Sequence, residues 1–250
     1  MTEIIQRLNN GVLELTLNRP EKRNALTEAM YIELRRALND AKHDPDARVV
    51  LLSGQKFCFT AGNDLQDFLT KPFDEDDAPV MQFLKTMADF PKPIVAAVNG
   101  PAIGIGTTML LHCDLVYSGD SAEFQLPFVS LGLVPENASS VLLPLRVGHN
   151  KAAEWLMLGK AFGPQEALQA GLINAVFGDE NYLHAANQQA QLLAAQPTEA
   201  IQATKKLMKQ AYMSFILNAI DDEARQFQKR LQSDEFRHAA EAFFAAREKA

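Results

Sequence analysis

Apolar and polar positions divide the chain into two regimes. In the first, short apolar runs alternate with stretches of helical spacing. Glu3 to Leu8 and Val12 to Leu17 flank Asn9-Asn10-Gly11, a sequence suited to a hairpin turn, and the second run interleaves Val12, Leu13, Leu15 and Leu17 with Glu14 and Thr16. After Thr27, apolar residues recur at helical spacing as Met30, Leu34, Ala37, Leu38 and Ala41, and Asp44-Pro45 ends that helix. Val49 to Ser53, Ile94 to Val98 and Leu115 to Ser118 read as strands, with Val80 to Phe90 as a helix and Gly106 to His112 as a buried helix start. This is βαβ-type alternation, the pattern of an α/β fold.

From Ser139 onward the pattern turns helical. Segments 139–147, 151–158, 164–170, 182–195, 198–213, 215–231 and 234–249 carry helical spacing, and only Ile173 to Phe177 reads as a strand. Val141, Leu142 and Leu145 are expected to point inward, Trp155, Met157 and Leu158 to be core, and Phe236, Ala240, Phe243 and Phe244 to form the packed face of the last helix. The acidic run Asp74-Glu75-Asp76-Asp77 is expected in a solvated loop, since consecutive carboxylates diverge and no histidine accompanies them.

Two glycine turns sit where apolar strands should end. Phe57 to Leu65 follows Val49-Val50-Leu51-Leu52, and Asn99 to Gly106 follows Ile94 to Val98. Open α/β sheets place ligands at the carboxyl ends of strands, and glycine lets backbone approach a ligand closely. Two such turns can aim two N–H donors at one oxygen, the arrangement a thioester carbonyl needs when negative charge develops on it.

Composition narrows the function classes. The 250 residues are 47% hydrophobic, enough for one large core, and the net charge of −7 argues against nucleic acid. No apolar stretch reaches bilayer length, the first residues do not read as a signal or transit peptide, and Glu248-Lys249-Ala250 is not a peroxisomal tripeptide. A cytoplasmic protein that does not engage a membrane is the expectation. Cys58 and Cys113 are far apart and flanked by apolar residues, which predicts reduced thiols, and no spacing of His, Cys, Asp and Glu suggests a metal site. Gly104-Ile105-Gly106 fails the dinucleotide fingerprint because Met109 occupies the third glycine position. P-loop, zinc-protease and serine-hydrolase elbow motifs are absent.

Several longer motifs occur in order: Leu17 to Leu26 (LNRPEKRNAL), Phe59 to Leu65 (FTAGNDL), Lys92 to Gly100 (KPIVAAVNG), Ala102-Ile103-Gly104, Cys113-Asp114 and Ala122-Glu123-Phe124. Together they resemble the crotonase, or enoyl-CoA hydratase/isomerase, superfamily. The resemblance implies one crotonase domain over 1–250: a spiral of ββα units over 1–138, then a mainly helical part over 139–250 whose helices pack between subunits of a homotrimer or dimer of trimers and line part of the site. It implies a coenzyme A thioester as substrate and no separate cofactor. The amides of Asn63 and Ile105 would form an oxyanion hole, while Lys22, Arg23, Ala25, Ala61, Asp64 and Leu65 would bind the coenzyme A moiety. Gly104 and Phe128 are further expected substrate contacts.

The same resemblance separates the reactions. Hydratases of the superfamily hold a water between two glutamates, and the matching positions here are Thr108 and Phe128. A hydroxyl is a poor general base at neutral pH and a phenyl ring moves no proton. Glu136 remains, in Leu131 to Ser140 (LGLVPENASS), where apolar neighbours raise a carboxyl pKa and a helix start opposes the rise. The match is closest to the Δ3,Δ2-enoyl-CoA isomerase branch, in which the glutamate matching Glu136 is the base. Asn137 departs from the glycine usual there. A hydratase or another acyl-CoA transformation, and a catalytically silent acyl-CoA-binding protein, are the alternatives. His112 is expected to be a packed or hydrogen-bonded residue.

Overall fold

The Asn9-Asn10-Gly11 turn closes a hairpin in which Asn10 and Gly11 both take positive φ, as a tight hairpin turn requires. It pairs β1 (Ile4–Asn9) with β2 (Val12–Leu17), Ile4 opposite Leu17 and Asn9 opposite Val12. In the computed structural model, which describes residues 2–55, 57–70 and 78–248, four parallel strands extend this hairpin. They are β3 (Val49–Gly54), β4 (Ile94–Val98), β6 (Leu115–Gly119) and β8 (Ala175–Phe177). The sheet order is β1-β2-β3-β4-β6-β8. A second, two-stranded parallel sheet joins β5 (Pro101–Ile103) to β7 (Glu123–Gln125).

The short strands follow directly on the long ones, β5 on β4 and β7 on β6, and Thr60 bridges to Ala102 in the same way after β3. This is the strand-strand-helix winding that the resemblance implies. The helices are α1 (Glu28–His43), α2 (Leu65–Thr70), α3 (Pro79–Ala88), α4 (Ile105–Thr108), α5 (Ser139–Val147) and α6 (His149–Leu158). Then come α7 (Pro164–Gln169), α8 (Tyr182–Ala194), α9 (Thr198–Gln210), α10 (Met213–Leu231) and α11 (Asp234–Glu248).

Central strands are mostly apolar because both their faces are covered. Val50 and Leu52 of β3, with Ile94, Ala96 and Val98 of β4, face the main core, whereas Val49, Leu51, Val95 and Ala97 face α8. Ala186, Ala190 and Ala194 repeat every fourth residue along α8, so small side chains let that helix lie close against the sheet. The main core draws residues from Ile4 to Ala240, with the C-terminal helices packed into it.

Three expectations change. The predicted helix 106–112 is α4 followed by a tighter 3-10 turn over Met109–His112. Leu143 is the buried apolar residue of α5; Leu145, two positions on and so across the helix, is 60% exposed, while Val141 and Leu142 are half-buried. Trp155 is buried and stacks on Phe162, but Met157 and Leu158 lie on the outer side of α6 and are exposed. In α11, Phe236 and Ala240 are buried as expected; the side chains of Phe243 and Phe244, and the acidic run Asp74 to Asp77, lie outside the described residues. Cys58 and Cys113 are free thiols.

One buried cation locks the sheet to α1. Lys92, just before β4, donates from Nζ to the carbonyls of Ala41, Asp44 and Ala47 at 2.6, 2.7 and 2.7 Å. Ala41 and Asp44 sit at the end of α1, where the helix dipole favours positive charge, and Ala47 lies in the loop beyond it. Lys92→Met leaves them without this donor in a buried setting, so urea denaturation should show a loss of about 2–4 kcal/mol; an unchanged midpoint would contradict this account.

Candidate active site

The two glycine turns leave the carboxyl ends of β3 and β4 and are laced to each other. Thr60 donates its N–H to Pro101 at 2.9 Å, and Ile103 donates back to Thr60 at 3.0 Å. Gly62, at φ 92°, lies so close to the second turn that a Cβ there would meet the Ile103 carbonyl oxygen at 2.9 Å. Gly104 adopts φ 56° and ψ −115°, a conformation open essentially to glycine, and so turns the chain into α4. Among the described residues, neither the Asn63 nor the Ile105 amide donates to a protein acceptor.

Buried polar groups brace the first turn. Asn24, fully buried, accepts from the Arg19 amide at 2.8 Å and donates to the Cys58 carbonyl at 2.7 Å. Arg19 donates through Nη1 to the Ala25 carbonyl and to Asp64 Oδ2, at 3.0 and 2.7 Å. Partial burial would raise the Asp64 carboxyl, but Arg19 and neighbouring amides hold it below its ordinary value. Asp64 therefore acts as a latch between the N-terminal motif and the turn.

These elements wall a cavity of about 880 Å³. Lys22, Arg23 and Ala25 line it from the N-terminal motif, Ala61, Asn63, Asp64 and Leu65 from the first turn, and Gly104 and Ile105 from the second. Phe128 lines it as well, and Phe227, Leu231 and Phe236 close it from α10 and α11. The resemblance implies that C-terminal helices line part of the site, but which residues do so is not legible in the chain, because an apolar stripe on a helix does not say which surface it covers.

Glu136 is not part of that lining. It lies behind Asn63, 6% exposed, with Oε1 lacking any partner among the described residues. Burial pushes its carboxyl up to about 8; the negative charge of Glu223 adds to the rise and the Asn63 side-chain amide opposes it. The Asn63 Oδ1 is taken by the Tyr31 hydroxyl, which donates to it from α1. Tyr31 is itself buried, and its hydroxyl is held well above its ordinary value by that burial and by the Glu136 charge. The Asn63 side chain therefore has an occupation that the resemblance, which needs only its backbone, did not suggest.

The segment after Glu136 is left-handed at both Asn137 and Ala138, with φ 62° and 56°. Asparagine tolerates this region, so Asn137 keeps the turn that a glycine would make. For Ala138 the conformation costs roughly 1–2 kcal/mol. The Asn137 carbonyl accepts from His112 Nε2 at 2.9 Å, and burial holds that imidazole neutral, with its pKa pushed down to about 3. His112 is thus the hydrogen-bonded residue expected. Thr108 is fully buried, its Oγ1 without a partner among the described residues, and Phe128 is buried beside the second turn.

Residues 7–250 match the family model described as enoyl-CoA hydratase/isomerase. The chain belongs to that family. It is 32% identical to enoyl-CoA delta isomerase 2 of Rattus norvegicus over 98% of its length, and spans 64% of that relative. It is 35% identical to the 2,3-dehydroadipyl-CoA hydratase of Escherichia coli K12, covering 95% of this chain and 93% of the relative. The crystal structure of an enoyl-CoA hydratase/isomerase from Pseudoalteromonas atlantica T6c superposes with a TM-score of 0.94 at 41% identity, covering 98% of both chains. The crotonase fold of the family follows from this likeness. The names of relatives at similar identity span isomerase, hydratase and, in Arthrobacter sp, 4-chlorobenzoyl coenzyme A dehalogenase, so the reaction rests on the site itself.

The raised Glu136 carboxyl has a consequence for stability. Its folded pKa of about 8 lies above the ordinary 4.5, so the protonated form favours folding below 4.5 and that contribution is lost as pH rises through about 8. Glu136→Gln, permanently neutral, should therefore gain on the wild type as pH rises from 5 to 9. Thermal unfolding across this range should show a melting-temperature difference that grows with pH, and a difference constant in pH would contradict the burial assigned to the acid.

Proposed function

We propose that the protein is an enoyl-CoA isomerase that moves the double bond of a 3-enoyl-CoA to the conjugated 2-trans position. One observation carries the reading: Glu136, a buried carboxyl whose Oε1 has no partner among the described residues, lies against Asn63, which lines the cavity. The Glu136 carboxylate removes a proton from C2 of the thioester. Charge then spreads as a dienolate onto the thioester oxygen, where the N–H groups of Asn63 and Ile105 form an oxyanion hole. Protonated Glu136 returns the proton at C4, so no atom is gained or lost and the carboxylate is restored.

Several features support this choice over hydration. Thr108 and Phe128 stand where hydratases hold water with carboxylates, and the phenyl ring helps exclude water from a dienolate. Glu223 is the other carboxylate close to Glu136, but both its oxygens are occupied by backbone N–H groups, so it is not arranged to hold a nucleophilic water. A catalytically silent binding protein has no evident use for a buried acid just behind its cavity with one oxygen unpartnered among the described residues.

Coenzyme A enters in this reading as part of the substrate. Lys22 and Arg23 are exposed cations at the cavity wall, suited to its phosphates on a chain of net charge −7. The apolar side chains from α10 and α11 face the acyl portion. The trimer or dimer of trimers comes from the resemblance; the exposed Met157, Leu158, Leu207, Met208 and Phe215 of the helical part, 139–250, are apolar side chains that self-association would cover.

Purified protein mixed with a 3-enoyl-CoA should generate the absorbance of a conjugated thioester. Glu136→Gln should lower that rate by at least ~100-fold while leaving coenzyme A binding in place. The rate should climb with pH through about 8, since the carboxylate is the active form. Loss of conjugated absorbance from a 2-enoyl-CoA, with no gain from the 3-enoyl isomer, would replace isomerisation by hydration; silence with both would favour another acyl-CoA reaction or binding alone.

A further inference from the structure

Glu223 breaks the pattern of α10. It occupies the buried row Ile216, Ala219, Ile220, Glu223 and Phe227, where every other member is apolar, and it is only 8% exposed. A buried carboxylate needs partners, and these are specific. Oε2 accepts the N–H of Ala138 at 2.6 Å and Oε1 accepts the N–H of Ser140 at 2.8 Å. The two donors lie two and four residues after Glu136, around the start of α5. Ala138 stands at the cap of that helix without a side chain able to accept a hydrogen bond, so a distant helix supplies the acceptor.

The geometry bears on Glu136 because of what separates it from α5. Asn137 and Ala138 are consecutive residues at positive φ, a conformation that persists only when its surroundings impose it. Other holds on this turn act on carbonyls: Ser139 Oγ donates to the Glu136 carbonyl at 2.6 Å, and His112 to that of Asn137. Glu223 grips the N–H side.

We propose that Glu223 is a positioning residue for Glu136, fixing from α10 the left-handed turn on which the proton-transferring acid is mounted. This rests on the reading of Glu136 as the base. The titratable groups facing Glu136 are Glu223 from α10 and Tyr31 from α1, while Asp222 faces Glu223 from its own helix and His112, beyond Asn137, is neutral. Taking away the Glu223 charge removes repulsion of the Glu136 carboxylate, so the acid should ionise at lower pH.

The test compares full-length wild type with Glu223→Gln, Glu223→Asp and Glu136→Gln, using the 3-enoyl-CoA assay and an infrared titration of the protonated carboxyl band that Glu136→Gln abolishes. Glu223→Gln should lower kcat at least tenfold with little change in KM, and should shift both the ascending limb of the pH profile and the infrared midpoint to lower pH. Glu223→Asp, which keeps the charge but shortens the reach, should return the infrared midpoint toward wild type while kcat stays low. Wild-type kcat and an unmoved infrared midpoint in folded Glu223→Gln would overturn the proposal. If Glu223→Gln does not fold, Glu223→Asp decides it: lowered kcat at unchanged KM supports it and wild-type kcat overturns it. An infrared shift in Glu223→Gln alongside a wild type that does not isomerise 3-enoyl-CoA would sink the assigned reaction, and with it the base that Glu223 is proposed to position, while leaving the coupling of the two carboxyls standing.

Discussion

Keeping the Glu136 carboxyl out of water is the constraint around which the rest of this molecule is arranged. An acid in such a place ionises at a free-energy cost unless hydrogen bonds or opposite charges offset it, and here the Asn63 side-chain amide does so. Its neighbours set the balance: apolar surroundings and Glu223 favour the neutral form, Asn63 the charged one. A group suspended between two protonation states is suited to lending a proton and taking it back. The surrounding hydrogen bonds hold backbone in place and leave Oε1 unengaged.

The sheet supplies the rigid frame for that arrangement. β3 and β4 are buried on both faces, so their carboxyl ends, and the turns that leave them, are fixed relative to one another before any side chain of the site is considered. Lacing through Thr60, Pro101 and Ile103 then brings the turns into contact. The left-handed pair at Arg23 and Asn24, held by the buried Asn24 amide, turns the N-terminal motif toward the same cavity.

Much of this was legible in the chain. Continuous apolar runs gave the central strands, helical spacing gave most of the helices, and the glycine turns pointed to the cavity because glycine at strand ends signals close approach. The ordered motifs led to the fold, and ten of the eleven residues they singled out line one cavity, Glu136 lying just behind it. What escaped depended on rotation or distance. The three-residue strands β5 and β7 are too short to show a period, and Leu145, Met157 and Leu158 differ from buried neighbours only in the direction they face. The Tyr31 contact joins residues 31 and 63, a pairing that only tertiary structure reveals. Glu223 did leave a trace, as a charge inside an apolar helical row, and that trace is readable in any amphipathic helix.

The span of sequence that meets at Glu136 has a bearing on how the molecule matures. Tyr31, Asn63, His112 and Glu223 converge on one turn from four separate parts of the chain, the last of them more than eighty residues beyond it. Contacts of such sequence separation close late, because chain entropy opposes them until intervening segments have folded. A nascent chain still lacking α10 would have its sheet and both glycine turns but no grip on the amides of Ala138 and Ser140. Competence for proton transfer would then arrive as one of the last events of folding, well after the cavity floor has taken shape.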